Sequence, residues 1–198
     1  MIKQLYMSIE QIDNSCSGVA SPSRLRKAEE VSSVIQEILI AQGKTLSTAE
    51  SCTGGGIAAE ITAISGSSAY FQGGLVAYQN RVKIEMLGVH PETIDTYDVV
   101  SEEVVKEMVH GACKLFGTDY AIASSGCAGP TGGTEQIPVG TIWIACGSRD
   151  SILTKHLSGD LGRIPNVERA TQEALKLMLQ FLLNESVRID PAKDYHLA

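Results

Sequence analysis

Cysteine is sparse and unpaired: Cys16, Cys52, Cys113, Cys127 and Cys146 are odd in number, widely spaced and never at CxxC distance. That pattern argues against a disulfide framework and a structural zinc site, and leaves reduced thiols. Positive charge is also short. Against 23 Asp and Glu the chain of 198 residues has 16 Lys and Arg, a net charge of −7, and one small basic cluster at Arg24, Arg26 and Lys27. A phosphate backbone would be repelled over most of such a surface, so no nucleic acid partner is expected. Long apolar runs are missing too. The longest, Leu175 to Leu183, is broken by Lys176 and Gln180 and falls short of the roughly 18 residues of a membrane span, so no membrane partner is expected. Met1 to Cys16 carries Lys3, Glu10 and Asp13 and lacks the continuous apolar core of a secretory signal, which makes the cytoplasm the expected compartment. What remains, 43% hydrophobic and 20% charged residues, is the composition of an ordinary globular domain with one core.

Residues 1–22 read as a polar N-terminal extension ending in the turn formers Ser17 to Ser23, with the domain over 23–186 and a C-terminal tail over 187–198. Leu25, Ala28, Val31, Val34, Ile35, Ile38 and Leu39 recur at helical steps before Gly43. Thr45 to Glu50 is a short strand candidate that leads through Ser51-Cys52-Thr53-Gly54-Gly55-Gly56 into a helix marked by Ile57, Ala58, Ile61 and Ile64. Gly74 to Tyr78 reads as a strand and Asn80 to Leu87 as a helix. Ser101 can cap a helix whose first turn holds Glu102 and Glu103 and which Gly117 stops. Tyr120 to Ala123, Val139 to Cys146 and Ile152 to Leu157 follow as strands, and a last helix spans about Pro165 to Asn184. The alternation predicts an α/β layered domain.

Three loops combine small hydroxyl residues with glycine: Ser51 to Gly56, Gly66 to Ser68, and Ser124 to Gly133. Each reads as following a strand, and loops at strand C-termini meet at the ligand crevice of an α/β sheet. Glycine lets backbone N–H groups approach a phosphate or oxyanion; any one of these loops alone reads as a tight turn, and the three of one composition together point to a site. Neither GxGxxG nor GxxxxGK[ST] occurs, and His90, His110, His156 and His196 are scattered without metal-ligand spacing. With no histidine partner in view, a hydroxyl could be activated by a desolvated lysine, and Lys83, five residues after Tyr78, is the candidate. Spacing alone favours a solvated helix lysine. Trp143, between Ile142 and Ile144, suits core or interface, and Cys52 and Cys127 suit small filler in their glycine loops.

Ala49-Glu50-Ser51-Cys52-Thr53-Gly54-Gly55, Gly66-Ser67-Ser68 with Phe71, Gly73 and Gly74, then Tyr78, Asn80 and Lys83, then Ser125-Gly126-Cys127-Ala128-Gly129-Pro130 with Gly132-Gly133, and Pro138-Val139-Gly140-Thr141 resemble, in order, the motifs of the CinA C-terminal domain family. The resemblance covers about residues 25–185. It implies a three-layer α/β/α sandwich with a mixed, mostly parallel five-stranded sheet. It also implies a nicotinamide-nucleotide amidase of pyridine nucleotide recycling, deamidating nicotinamide mononucleotide to nicotinate mononucleotide and ammonia by serine and lysine chemistry, with no cofactor and no metal. Longer members carry an N-terminal pyrophosphatase-like domain, which the residues ahead of position 25 are too few to hold.

Carried over residue by residue, the resemblance puts the catalytic region on Ser68, Tyr78 and Lys83, with Ser51 in the other serine loop. Ser68 is the preferred nucleophile, since it follows glycine at a predicted helix start where its own N–H could help bind the oxyanion. Ser51 is the second choice. Lys83 would take the serine proton, with Tyr78 relaying or orienting. Thr53, Gly54, Gly55, Ser125 and Gly126 would offer donors to the substrate phosphate, Ser67 and Asn80 further contacts, and Arg163 the cation. Where the family commonly reads Gly-Asp-Arg, this chain reads Gly159-Asp160-Leu161-Gly162-Arg163. That departure motivates the competing reading, a non-catalytic nucleotide-binding or regulatory module of the same fold. A related amidase acting on another amide is a third. The stripe Leu175, Leu179 and Leu182 could face a second copy in a homo-oligomer or the core of its own chain.

Overall fold

The computed structural model describes residues 22–189, so all of the expected 1–22 extension but Pro22, which opens the first helix, and the end of the tail over 190–198 lie outside the described residues. In chain order the elements are α1 (Pro22–Gln42), β1 (Leu46–Glu50), α2 (Gly56–Thr62), a one-turn 3-10 helix (Ser67–Ala69), β2 (Phe71–Val76), α3 (Asn80–Leu87), α4 (Pro91–Tyr97), α5 (Glu102–Phe116), β3 (Tyr120–Gly126), β4 (Ile142–Gly147), β5 (Ile152–Leu157) and α6 (Arg163–Ile189). The strands form one sheet in the order β2-β1-β3-β4-β5. Pairings β2-β1 and β1-β3 are parallel, and β3-β4 and β4-β5 antiparallel. Only β4 therefore runs against the rest, giving the mixed, mostly parallel sheet.

Alternation along the strands explains the layers. Tyr120 and Ile122 on β3, with Ile142, Ile144 and Cys146 on β4, face a large-residue core completed by Val31, Ile35 and Leu39 of α1, Ile57 and Ile61 of α2, and the buried face of α6. Their neighbours Ala121, Ala123 and Ala145 turn to the other side, where they pack with Leu87 of α3 and with Val104, Val105, Met108 and Val109 of α5. Small residues on that face let α5 lie close to the sheet. Its Gly111 is required for the same reason: an added Cβ would stand 2.0 Å from the carbonyl oxygen of Leu87, at the end of α3.

Leu175, Leu179 and Leu182 are buried within this chain, so that stripe belongs to the core and is not a face for a second copy. The last helix runs to Ile189, past the boundary expected at 186. Among the described residues no helix is long and apolar enough to cross a membrane.

Candidate active site

Parallel strands β1, β2 and β3 bring their C-terminal ends to one edge of the sheet, and Ser51 is the first residue beyond β1. Its N–H continues the ladder, donating to the carbonyl oxygen of Ser124 on β3 at 3.0 Å. At the end of β2, Ala77 N–H donates to the Glu50 carbonyl at 2.7 Å. Asn80 then opens α3, and its first turn brings Lys83 to Ser51. Lys83 is 1% exposed. Its Nζ lies 3.0 Å from Ser51 Oγ and donates to the Ala77 carbonyl at 2.8 Å. No carboxylate pairs with it among the described residues.

Burial without a counter-charge disfavours an ammonium ion, and it pulls the Lys83 pKa down to about 8 against a weak opposing pull from the Cys52 sulfur. Protonated, Nζ donates to Ser51 Oγ; as the free amine it accepts the serine hydroxyl proton. The pair is therefore built to move one proton between oxygen and nitrogen.

A cleft of about 200 Å³ opens over this pair, lined by Ser51, Tyr78, Asn80, Val99, Ser125 and Arg163 among others. Tyr78 and Arg163 meet across its mouth, the guanidinium donating to the phenol oxygen at 3.0 Å and to the Gly129 carbonyl at 2.7 Å. Ser125 Oγ donates to the Val99 carbonyl at 2.8 Å and so holds the segment that presents Val99 and Val100 as an apolar wall. The Gly159 to Gly162 segment is tied down by Asn166, which accepts from Leu161 N–H and donates to Asp160 and to the Ala128 carbonyl. That is how Arg163, at the start of α6, reaches the cleft. Among the described residues no group of three or more His, Cys, Asp or Glu could hold a metal ion.

The profile of the CinA C-terminal domain family matches residues 28–182. The chain belongs to this family. Curated relatives named CinA-like protein include one from Shewanella piezotolerans, 45% identical over 161 residues, covering 79% of this chain but only 37% of the relative. The chain thus spans about two fifths of the length of these longer CinA-like relatives. It is also 46% identical over 159 residues to the nicotinamide-nucleotide amidohydrolase PncC of Escherichia coli, covering 78% of this chain and 95% of that protein. Among solved structures, the competence/damage inducible protein CihA of Agrobacterium tumefaciens superposes with a TM-score of 0.76 at 36% identity, covering 83% of this chain and 98% of the other. The competence damage-inducible protein A of Klebsiella pneumoniae does so with 0.75 at 37% identity, covering 79% and 97%.

This CinA C-terminal domain gathers Ser51, Tyr78, Asn80, Lys83, Ser125, Gly126 and Arg163 around one cleft. It does not bring Ser67 and Ser68 there. They form the one-turn helix between α2 and β2, so their loop precedes a strand instead of following one and sits at the opposite edge of the sheet. The six residues of β2, at about 3.3 Å each, put roughly 20 Å between the two edges.

Thr53, Gly54 and Gly55 are near Ser51, but their donors are largely spent inside the turn. Glu50 receives Thr53 Oγ1 at 2.7 Å and the N–H groups of Gly55, Ile57 and Ala58 at 3.0, 3.0 and 2.8 Å. Gly54 and Gly56 N–H groups go to the Ser51 and Thr53 carbonyls. A substrate phosphate finds this helix N-terminus already occupied by a protein carboxylate. Sequence reasoning missed Glu50, though its signal was present: an acidic residue just before a glycine turn and a helix. Cys52 is buried, and desolvation pushes its thiol up to about 12, which fits the filler role. Trp143 stacks on His156 across β4 and β5 with ring centroids 4.8 Å apart.

Proposed function

We propose that this chain hydrolyses the carboxamide of nicotinamide mononucleotide to nicotinate mononucleotide and ammonia, with Ser51 as nucleophile and Lys83 as general base. The observation that carries the reading is the 3.0 Å contact between Ser51 Oγ and a buried lysine without a carboxylate partner. The substrate is taken from the name of the Escherichia coli relative, nearly all of whose length this chain matches.

In the first half-reaction Ser51 Oγ attacks the carboxamide carbon while its proton passes to the Lys83 amine. The tetrahedral intermediate collapses as Lys83 returns that proton to the departing nitrogen, releasing ammonia and leaving an ester on Ser51. Water then attacks the ester, giving one proton to Lys83, which hands it to the Ser51 oxygen as the acid leaves. The N–H groups of Cys52 and Thr53, directly after the nucleophile, are given to no backbone carbonyl among the described residues and are the donors available to the oxyanion.

Val99 and Val100 give an apolar wall to the pyridine ring, and Asn80 a polar contact. Arg163 faces the phosphate with the guanidinium donors left after Tyr78 and Gly129 are served. With its oxygen accepting from Arg163, Tyr78 keeps its own proton to orient substrate or the Ser51–Lys83 pair.

Incubating the purified protein with nicotinamide mononucleotide tests this directly. Ammonia and nicotinate mononucleotide are expected in equal amounts. Tight nucleotide binding by calorimetry with no product over long incubation would instead establish the binding-module reading, and product from another amide alone would reassign the substrate.

A further inference from the structure

Glu50 is a buried acidic residue at the end of β1. Its carboxylate is 1% exposed and no ion pair to it is found among the described residues. Burying a carboxylate is costly unless donors compensate it, and here the donors found among the described residues come from one short stretch of chain. Thr53 Oγ1 and the N–H groups of Gly55 and Ile57 converge on Oε2, and Ala58 N–H reaches Oε1. To present its N–H, Gly55 takes a left-handed conformation at φ 101, which glycine adopts without steric cost.

The consequence reaches both members of the reacting pair. The stretch that Glu50 gathers begins at Ser51, whose carbonyl accepts from Gly54 N–H. Since the Thr53 hydroxyl gives its proton to Glu50, Ser124 Oγ donates to Thr53 across 2.7 Å, and the Ser124 carbonyl holds Ser51 N–H. On the other side the Glu50 carbonyl holds Ala77 N–H, and the Ala77 carbonyl holds Lys83 Nζ.

We propose that Glu50 is a positioning residue for the Ser51–Lys83 pair: its carboxylate fixes the turn that aims Ser51 Oγ at Lys83 Nζ and leaves the Cys52 and Thr53 N–H groups for the oxyanion. This role rests on Ser51 being the nucleophile. A misplacement of about 1 Å can cost a hundredfold in rate, so relaxing the turn is read in turnover more than in substrate binding.

The test uses Glu50→Gln, equal in size but with an amide nitrogen that cannot accept, and Thr53→Val, which removes one donor from the carboxylate. Three quantities are measured well below each melting temperature: kcat, KM, and the rate at which phenylmethanesulfonyl fluoride labels Ser51, located by peptide mass spectrometry. In that labelling Ser51 Oγ bonds to sulfur, fluoride leaves and Lys83 takes the proton, so no nucleotide is needed. Glu50→Gln is expected to lose about thirtyfold in both kcat and labelling with KM within about threefold, and Thr53→Val about fivefold. A folded Glu50→Gln protein with wild-type kcat and labelling overturns the role. Should Glu50→Gln not fold, Thr53→Val decides alone, and wild-type values in it overturn the role equally. If wild type labels at Ser51 but releases no ammonia, the substrate reading fails while labelling still decides the role of Glu50. If wild type does not label at Ser51, nucleophile and positioning role fall together.

Discussion

A lysine at its ordinary pKa near 10.5 is almost wholly charged at neutral pH and cannot take a proton from serine. Lowered to about 8 by burial, Lys83 is neutral in about a tenth of molecules at pH 7. The kcat/KM for the amide is therefore expected to rise about tenfold per pH unit below 8 and to level above it, as a pH–rate profile will show. Ser51→Ala and Lys83→Met should each lose at least about a thousandfold, and the double variant no more than either alone, because the two act as a unit. Ser68→Ala should stay within about twofold. The sequence contained Lys83 and both serines but not the choice between them. Ser68 stands nearer to Lys83 along the chain than Ser51 does, yet an intervening strand carries the chain across the sheet, whereas parallel pairing returns Ser51 to the same edge as Lys83. Arg163 was legible for the opposite reason: it is the first cation after Asp160, and Asn166 fixes the longer segment so that it still arrives at the cleft.

Elements with a clear apolar face could be read directly. For α5 the Ser101 cap, the acidic first turn and the Gly117 stop all appear as predicted, and α3 spans Asn80–Leu87 as its sequence suggests. Helix α4 escaped because it buries no residue and so has no hydrophobic period to detect. Strand β2 spans Phe71–Val76, earlier at both ends than the expected Gly74 to Tyr78, because Gly73 resembles a turn residue but lies within an edge strand. The close approach of α3 and α5 left only a glycine as its trace. Since an added Cβ on Gly111 would meet the Leu87 backbone at 2.0 Å, and backbone cannot rotate away, Gly111→Ala should cost about 1–3 kcal/mol in denaturant unfolding. Leu87 ends the helix that carries Lys83, so the same variant should also lower kcat. Unchanged turnover in a destabilised protein would show that α3 shifts without disturbing the Ser51–Lys83 contact.

For the molecule as a whole, the lysine that would serve the reaction is a liability to folding. In the unfolded chain Lys83 titrates near 10.5, and in the folded protein near 8. Between those values the unfolded state binds more protons than the native state, and stability then rises with pH. Below about pH 8 both states hold the proton, and folding pays to bury the charge in full. Above about 10.5 neither holds it, and the cost is gone. A shift of this size corresponds to about 3 kcal/mol. Other lysines and tyrosines titrate in the same range, so the contribution is isolated by difference against Lys83→Met, which has no charge to bury. Denaturant unfolding of both proteins from pH 7 to 11 should show the methionine variant's advantage shrinking by about 3 kcal/mol, with most of the change between 8 and 10.5. A constant difference would mean that Lys83 keeps its ordinary pKa near 10.5 in the folded protein, whereas a lysine already neutral at pH 7 would make the advantage shrink by about 5 kcal/mol, starting from pH 7. The kcat/KM limb checks the same point independently, because a lysine neutral at pH 7 leaves the rate flat there and one with an unshifted pKa moves the limb toward 10.5.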